Sequence, residues 1–142
     1  MLLAMTERIE AALLPVSILA TDTVARVEPG ASLGEVARAM TDADVGLLVV
    51  GRGDDVLGVV SERDIVRAVA AGDDLSATTA MDIAHTDLAW CDPTATVAEV
   101  ATEMMERYVR HVLVEDGGRL VGIVSARDLL GAYAAVASGE DG

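Results

Sequence analysis

The sequence predicts an α/β chain built as two copies of one β-α-β-β-α unit, and two observations carry that prediction. Residues 29–66 slide onto 93–130 at a constant offset of 64, without a gap and with 14 identities. A period that long, counted only twice, is not a solenoid repeat and points to two copies of a small unit packed together. Within each copy, helix-period stretches alternate with short apolar runs bounded by Gly, Pro and Asp, the order of elements of an α/β fold.

The elements follow in chain order. Residues 1–15 carry a short amphipathic pattern closed by Pro15, expected as a helix, with Met1 or Met5 as the native start. Val24–Val27 reads as a brief strand and Pro29-Gly30 as a turn; Ser32 is an N-cap, with Glu35 three residues on as the second half of a capping box. Leu33, Val36, Ala37 and Met40 share one face of a helix that Asp44 ends. Leu47–Val50 is an unbroken apolar strand, and Gly51–Asp55 turns it into Val56–Val60 as a hairpin. Ser61 caps a second helix, which runs to about Ala71 and is stopped by Gly72. Asp73–Asp87 reads as a polar linker. The second copy then repeats the order, with a helix over Val97–Met105, a hairpin of His111–Glu115 and Leu120–Val124, and a helix over Ala126–Ala137. The domain plan is an N-terminal helix 1–15, units at 16–77 and 78–137, and a flexible tail at 138–142.

Composition narrows the function classes. Each unit of about 60 residues buries too little surface to be robust alone, so the halves are expected to pack on each other. Hydrophobic residues make up 52% of the chain, but there is no Phe, one Trp and two Tyr, so the core falls to aliphatic residues and Met. The net charge is −14, with ten Arg and no Lys, which argues against nucleic acid and against an anionic membrane surface as partners. A few Arg side chains focused in a cleft still suffice to hold a nucleotide. No apolar run approaches a membrane span and the start lacks a basic flank, so the reading is a cytoplasmic protein. Cys91, aligned with Val27, reads as a buried small hydrophobe.

The chemistry gathers in one doubled motif, Gly58-Val59-Val60-Ser61-Glu62-Arg63-Asp64 and Gly122-Ile123-Val124-Ser125-Ala126-Arg127-Asp128. A strand runs into an N-cap Ser, and a helix begins with an acid in its first turn. Hydroxyl, backbone N–H groups and carboxylate then share one corner. Such a corner suits a ribose and its phosphate, since a carboxylate accepts from ribose hydroxyls while a helix N-terminus faces negative charge. The plainer alternative is that Asp64 and Asp128 only complement the helix dipole, worth about 0.3–1 kcal/mol. Arg63 and Arg127 either project into the same cleft or pair with acids on the outer face. His85 lies in the linker and His111 aligns with Leu47; neither stands at metal-ligand spacing from other donors, so no metal site is expected. Nor is there a nucleophile-base constellation, a P-loop or a dinucleotide fingerprint, so no catalytic residue is assigned and an enzyme is not expected.

The paired openings, Pro-x-x-(Ser/Thr)-(Leu/Val)-x-Glu-Val-Ala, and the paired closes, Gly-x-Val-Ser-x-Arg-Asp, resemble the cystathionine-β-synthase (CBS) domains, which occur in tandem. The resemblance covers residues 16–137. It implies two CBS units related by a pseudo-twofold axis, with an adenosyl ligand (AMP, ADP, ATP or S-adenosylmethionine) in the clefts between them. Asp64 and Asp128 would accept the ribose hydroxyls and Ser61 and Ser125 would face phosphate. Asp128 and Ile123 would meet Gly46 and Leu47 of the first unit, while Asp64 and Val59 would meet Arg110 and His111 of the second. The Asp64 cleft is therefore expected to favour more phosphate. A regulatory sensor is implied, acting on an unknown effector protein and joined as a homodimer through the helices that carry Val36, Met40, Val100, Met104 and Ala134. The alternative is a dimerisation or docking module with vestigial clefts and no ligand.

Overall fold

The hydroxyl of Ser32 accepts the Glu35 N–H at 3.2 Å, and that of Thr96 accepts the Glu99 N–H at the same distance, so both copies start their first helix on the same cap. The structure, a computed structural model, describes residues 9–20 and 24–138. Its strands are β1 (Arg26–Val27), β2 (Leu47–Arg52), β3 (Asp55–Ser61), β4 (Trp90–Cys91), β5 (His111–Asp116) and β6 (Arg119–Ser125). Its helices are α1 (Leu33–Ala43), α2 (Glu62–Ala70), the single turn α3 (Ala80–Ile83), α4 (Val97–Arg107) and α5 (Ala126–Ser138), preceded by a 3-10 turn at Val16–Ile18. In both copies the first helix ends on a residue in the left-handed region, Asp44 at φ 54° and Tyr108 at φ 55°.

Each copy forms a three-stranded sheet. β1 runs parallel to β2, and β2 pairs antiparallel with β3; β4, β5 and β6 repeat this order. The hairpins are tighter than expected, because the two residues Gly53-Asp54 and Gly117-Gly118 make the turns and leave Arg52, Asp55, Asp116 and Arg119 to the strands. Both hairpins slip register at one matching place, after Val50 and after Val114. Two cores result. One gathers Val36, Met40, Leu48, Val50, Val60 and Ala80, the other Val16, Val97, Val100, Met104, Val112, Val124 and Leu129.

The compact units cut the chain differently from the repeat. One is Thr23–Leu88; the other joins Met1–Asp22 to Ala89–Gly142. The segment preceding each repeat packs on the other one, and it does so with the same hydrogen bonds at the same offset of 64. Val16 N–H donates to Ala95 O at 2.8 Å and Val97 N–H to Leu14 O at 2.9 Å; Ala80 N–H donates to Ala31 O at 2.7 Å and Leu33 N–H to Thr78 O at 3.0 Å. Val16 and Ala80 are fully buried at matching places in the two cores.

Further expectations change. Val36, Met40, Val100 and Met104, expected at a dimer seam, are buried in the two cores instead. Residues 73–87 are not a mere linker: Thr79 and Asp82 form a reciprocal capping box that starts α3, and Val59 bridges to His85. The box expected at Ser32 and Glu35 is half made among the described residues, with the backbone of Glu35 donating to Ser32. Ser138, assigned to the tail, is the last residue of α5. Residues 9–13 are helical, but Leu14 is a bend and Pro15 bridges to Thr96, so the helix stops short of residue 15; residues 1–8 and 139–142 lie outside the described residues.

Candidate functional site

In the unit Thr23–Leu88 the site is made where β3 hands over to α2. Ser61 has extended backbone (φ −102°, ψ 165°) and its side chain turns back on the helix it starts. Asp64 Oδ2 accepts the Ser61 N–H at 2.7 Å and the Ser61 hydroxyl at 2.9 Å, while the Asp64 N–H reaches Ser61 Oγ at 3.3 Å. The other oxygen, Oδ1, lies 2.6 Å from His85 Nε2. Asp64 is only 7% exposed, and it is the buried charged residue of the described chain. Burial alone would raise its carboxyl. Hydrogen bonds from the Ser61 backbone, the His85 ring and the Ser61 hydroxyl, together with the His85 charge, outweigh this and hold it below the ordinary carboxylate range.

His85 is positioned by its backbone. Its N–H donates to Val59 O at 2.9 Å and its O accepts from Val59 N–H at 3.0 Å. Gly58 makes the approach possible, since a Cβ there would stand 2.8 Å from His85 O and 3.0 Å from the Ala84 methyl. β2 closes the corner from the other side: Leu47 pairs with Ser61, and Gly46 O accepts the Glu62 N–H at 3.0 Å.

The unit containing Asp128 repeats the frame with other side chains. Asp128 Oδ2 accepts the Ser125 N–H at 2.8 Å and the Asp128 N–H donates to Ser125 Oγ at 3.0 Å. Among the described residues nothing donates to Asp128 Oδ1. His111 pairs with Ser125 across the hairpin and Arg110 O accepts the Ala126 N–H at 2.8 Å. Burial pushes the His111 imidazole down; the Asp128 charge pulls it up and the Arg110 charge down again, and the balance is a lowered value that leaves the ring neutral at pH 7.

The structure thus joins Gly46, Leu47, Val59, Ser61 and Asp64 in one unit, and Arg110, His111, Ile123, Ser125 and Asp128 in the other. Arg63 and Arg127 are exposed and form no ion pair among the described residues, so the outer-face pairing weighed for them is not made. His85 is the residue that sequence reasoning missed. The signal was the Thr79-x-x-Asp82 box just before it, which marks residues 79–85 as structured rather than as a tether. Cys91 is half-buried, and burial followed by the charges of Asp92 and Glu103 pushes its thiol up to about 11, that of an inert side chain. Among the described residues no three His, Cys, Asp or Glu side chains group as metal ligands, and no helix is long and apolar enough to cross a membrane.

The CBS domain family model matches this chain twice, over residues 16–71 and 80–135. Hypoxic response protein 1 of Mycobacterium tuberculosis is 37% identical over 100 residues, 69% of this chain and 70% of that one. A crystal structure of Hypoxic Response Protein I, with two coordinated zinc ions, superposes with a TM-score of 0.70 at 32% identity, covering 82% of this chain and 97% of that one. An uncharacterized conserved protein from Pyrococcus horikoshii gives 0.78 at 31% identity over 85% and 92% of the two chains. The CBS domain protein PAE2072 from Pyrobaculum aerophilum, complexed with AMP, gives 0.74 at 33% identity over 86% and 99%. With both repeats matched and both sheets shared, the chain belongs to the CBS-domain family, as a tandem pair of CBS domains.

Proposed function

We propose that this CBS pair binds an adenosyl ligand, of the AMP, ADP, ATP or S-adenosylmethionine class, through its Ser-x-Arg-Asp corners and acts as a regulatory sensor. The observation that carries this reading is Asp128: a half-buried carboxylate held by Ser125 through one oxygen, with the other left to accept a ribose hydroxyl. The AMP complex of PAE2072 supports the ligand class. The chain's own contribution is binding. A ligand that prefers one arrangement of the protein shifts the population toward it, by no more than its difference in affinity for the two. That shift is what an effector protein would read. We also propose a homodimer, for which a monomer mass in sedimentation at micromolar concentration is the contrary result.

A melting screen against AMP, ADP, ATP and S-adenosylmethionine tests the reading. A ligand at 100 times its dissociation constant adds about 2.7 kcal/mol, roughly 5–10 °C for a chain of this size. If none of the four at millimolar concentration moves the midpoint by more than about a degree, a docking module with unused corners is the better account.

A further inference from the structure

The two carboxylates are not equally available. An ionised carboxylate offers about four acceptor sites. At Asp64, two on Oδ2 are taken by the Ser61 N–H and hydroxyl, and one on Oδ1 is taken by His85 Nε2 at 2.6 Å. A ribose diol that donates twice to the same carboxylate finds no second place there until the imidazole leaves. We propose that His85 competes with ligand for Asp64, so that the Asp128 corner fills first and His85 sets the affinity of the Asp64 corner. The inference rests on the adenosyl-binding reading and names the residue that makes its two sites unequal.

The placement of His85 is built into the fold. Both backbone hydrogen bonds of the bridge to Val59 hold residue 85, and Gly58 leaves the space in which Ala84 and His85 lie against β3. Because the bridge uses backbone atoms alone, the ring can turn away about its own side-chain torsions while the bridge stays made. It has room to do so, since the His85 side chain is 59% exposed whereas the Asp64 side chain is 7% exposed. His85 therefore works as a removable cover on a buried acceptor. In the other unit, Asp128 Oδ1 takes no hydrogen bond among the described residues, and in sequence the residue that the repeat aligns with His85 is Thr21, which carries no imidazole.

Titration calorimetry with AMP and with ATP as probes, on the full chain, tests this. The variants are Asp128→Ala, His85→Ala, His85→Gln and the Asp128→Ala/His85→Ala double variant, each checked by its melting curve. The unmodified chain should bind one nucleotide per chain in its tighter step, and Asp128→Ala should weaken that step by at least about tenfold. His85→Ala should leave the tighter step alone and strengthen the second by about tenfold, the size of one hydrogen bond to a charged group. The double variant should then bind more tightly than Asp128→Ala does. His85→Gln keeps an N–H donor on a side chain of similar reach, so its second step should stay weak, which a purely structural role would not produce. If Asp128→Ala behaves as stated but His85→Ala leaves the second step unchanged or weaker, His85 is not a competitor and the adenosyl reading stands. If neither nucleotide gives heat with any of these chains, the competition at Asp64 is overturned, and the adenosyl reading falls with it only if the melting screen, which includes S-adenosylmethionine, is also blank.

Discussion

The corner at Ser61 and the corner at Ser125 share a backbone and differ in what the backbone carries. Each has a strand that ends on Ser, an Asp three residues further on in the first turn of a helix, and a neighbouring strand start whose preceding carbonyl accepts a helix N–H. In one, an exposed His85 donates to a buried Asp64; in the other, a half-buried His111 lies in the field of a less covered Asp128. The same residue type thus hydrogen-bonds the carboxylate in one unit and lies in the carboxylate's field in the other. Duplication preserves the frame, and the side chains at its edge decide what each copy does with it.

The largest expected effect breaks this comparison at its base. Gly58→Val places a branched side chain against His85 O and Ala84, both held by backbone bonds, so the segment carrying His85 must move; a loss of about 1–3 kcal/mol in urea unfolding is expected. Should the variant retain full stability, residues 84–85 do not lie against β3 as described.

A second pair of variants sharpens it. Asp64→Ala removes a reciprocal cap and the partner of His85, and should cost about 1–2 kcal/mol; Asp128→Ala removes a cap with fewer donors and should cost about 0.5–1 kcal/mol. The Asp64 contribution has a pH signature. Its folded-state value lies below its unfolded one, so the stabilisation is present above about pH 4 and disappears as pH falls through the folded value. Acid unfolding curves of the two variants should therefore differ, with Asp64→Ala the flatter below pH 4.

The smallest effect concerns His111. Folding lowers its value, so the unfolded chain binds more protons between the folded value and about 6.5; stability is full above that window and falls as pH drops through it. His111→Leu, which installs the residue that the first copy has at Leu47, should remove this slope without altering stability at pH 8 by more than about 0.5 kcal/mol. An unchanged slope below about pH 6.5 would assign it to another group.

Much of this architecture is legible in the residues because it is local. Ser32 and Ser61 read as caps since a hydroxyl answers the N–H groups of its own first turn, and the α1 face of Leu33, Val36 and Met40 follows from helical period alone. The doubled frame, the two hairpins and the seating of Asp64 and Asp128 at helix starts were determined by the sequence by itself, because cap, turn and periodicity act over three to eight residues. What only the tertiary structure decided depends on contacts far along the chain. Val16 enters the core around Val97, and Ala80 enters the core around Val36, because each pre-strand segment finds the other copy's helix start rather than its own. His85 meets Asp64 across 21 residues, through a bridge to Val59 that Gly58 admits. Pattern and propensity carry no record of such a meeting, since its stability comes from burying a carboxylate only where donors from separate segments converge on it.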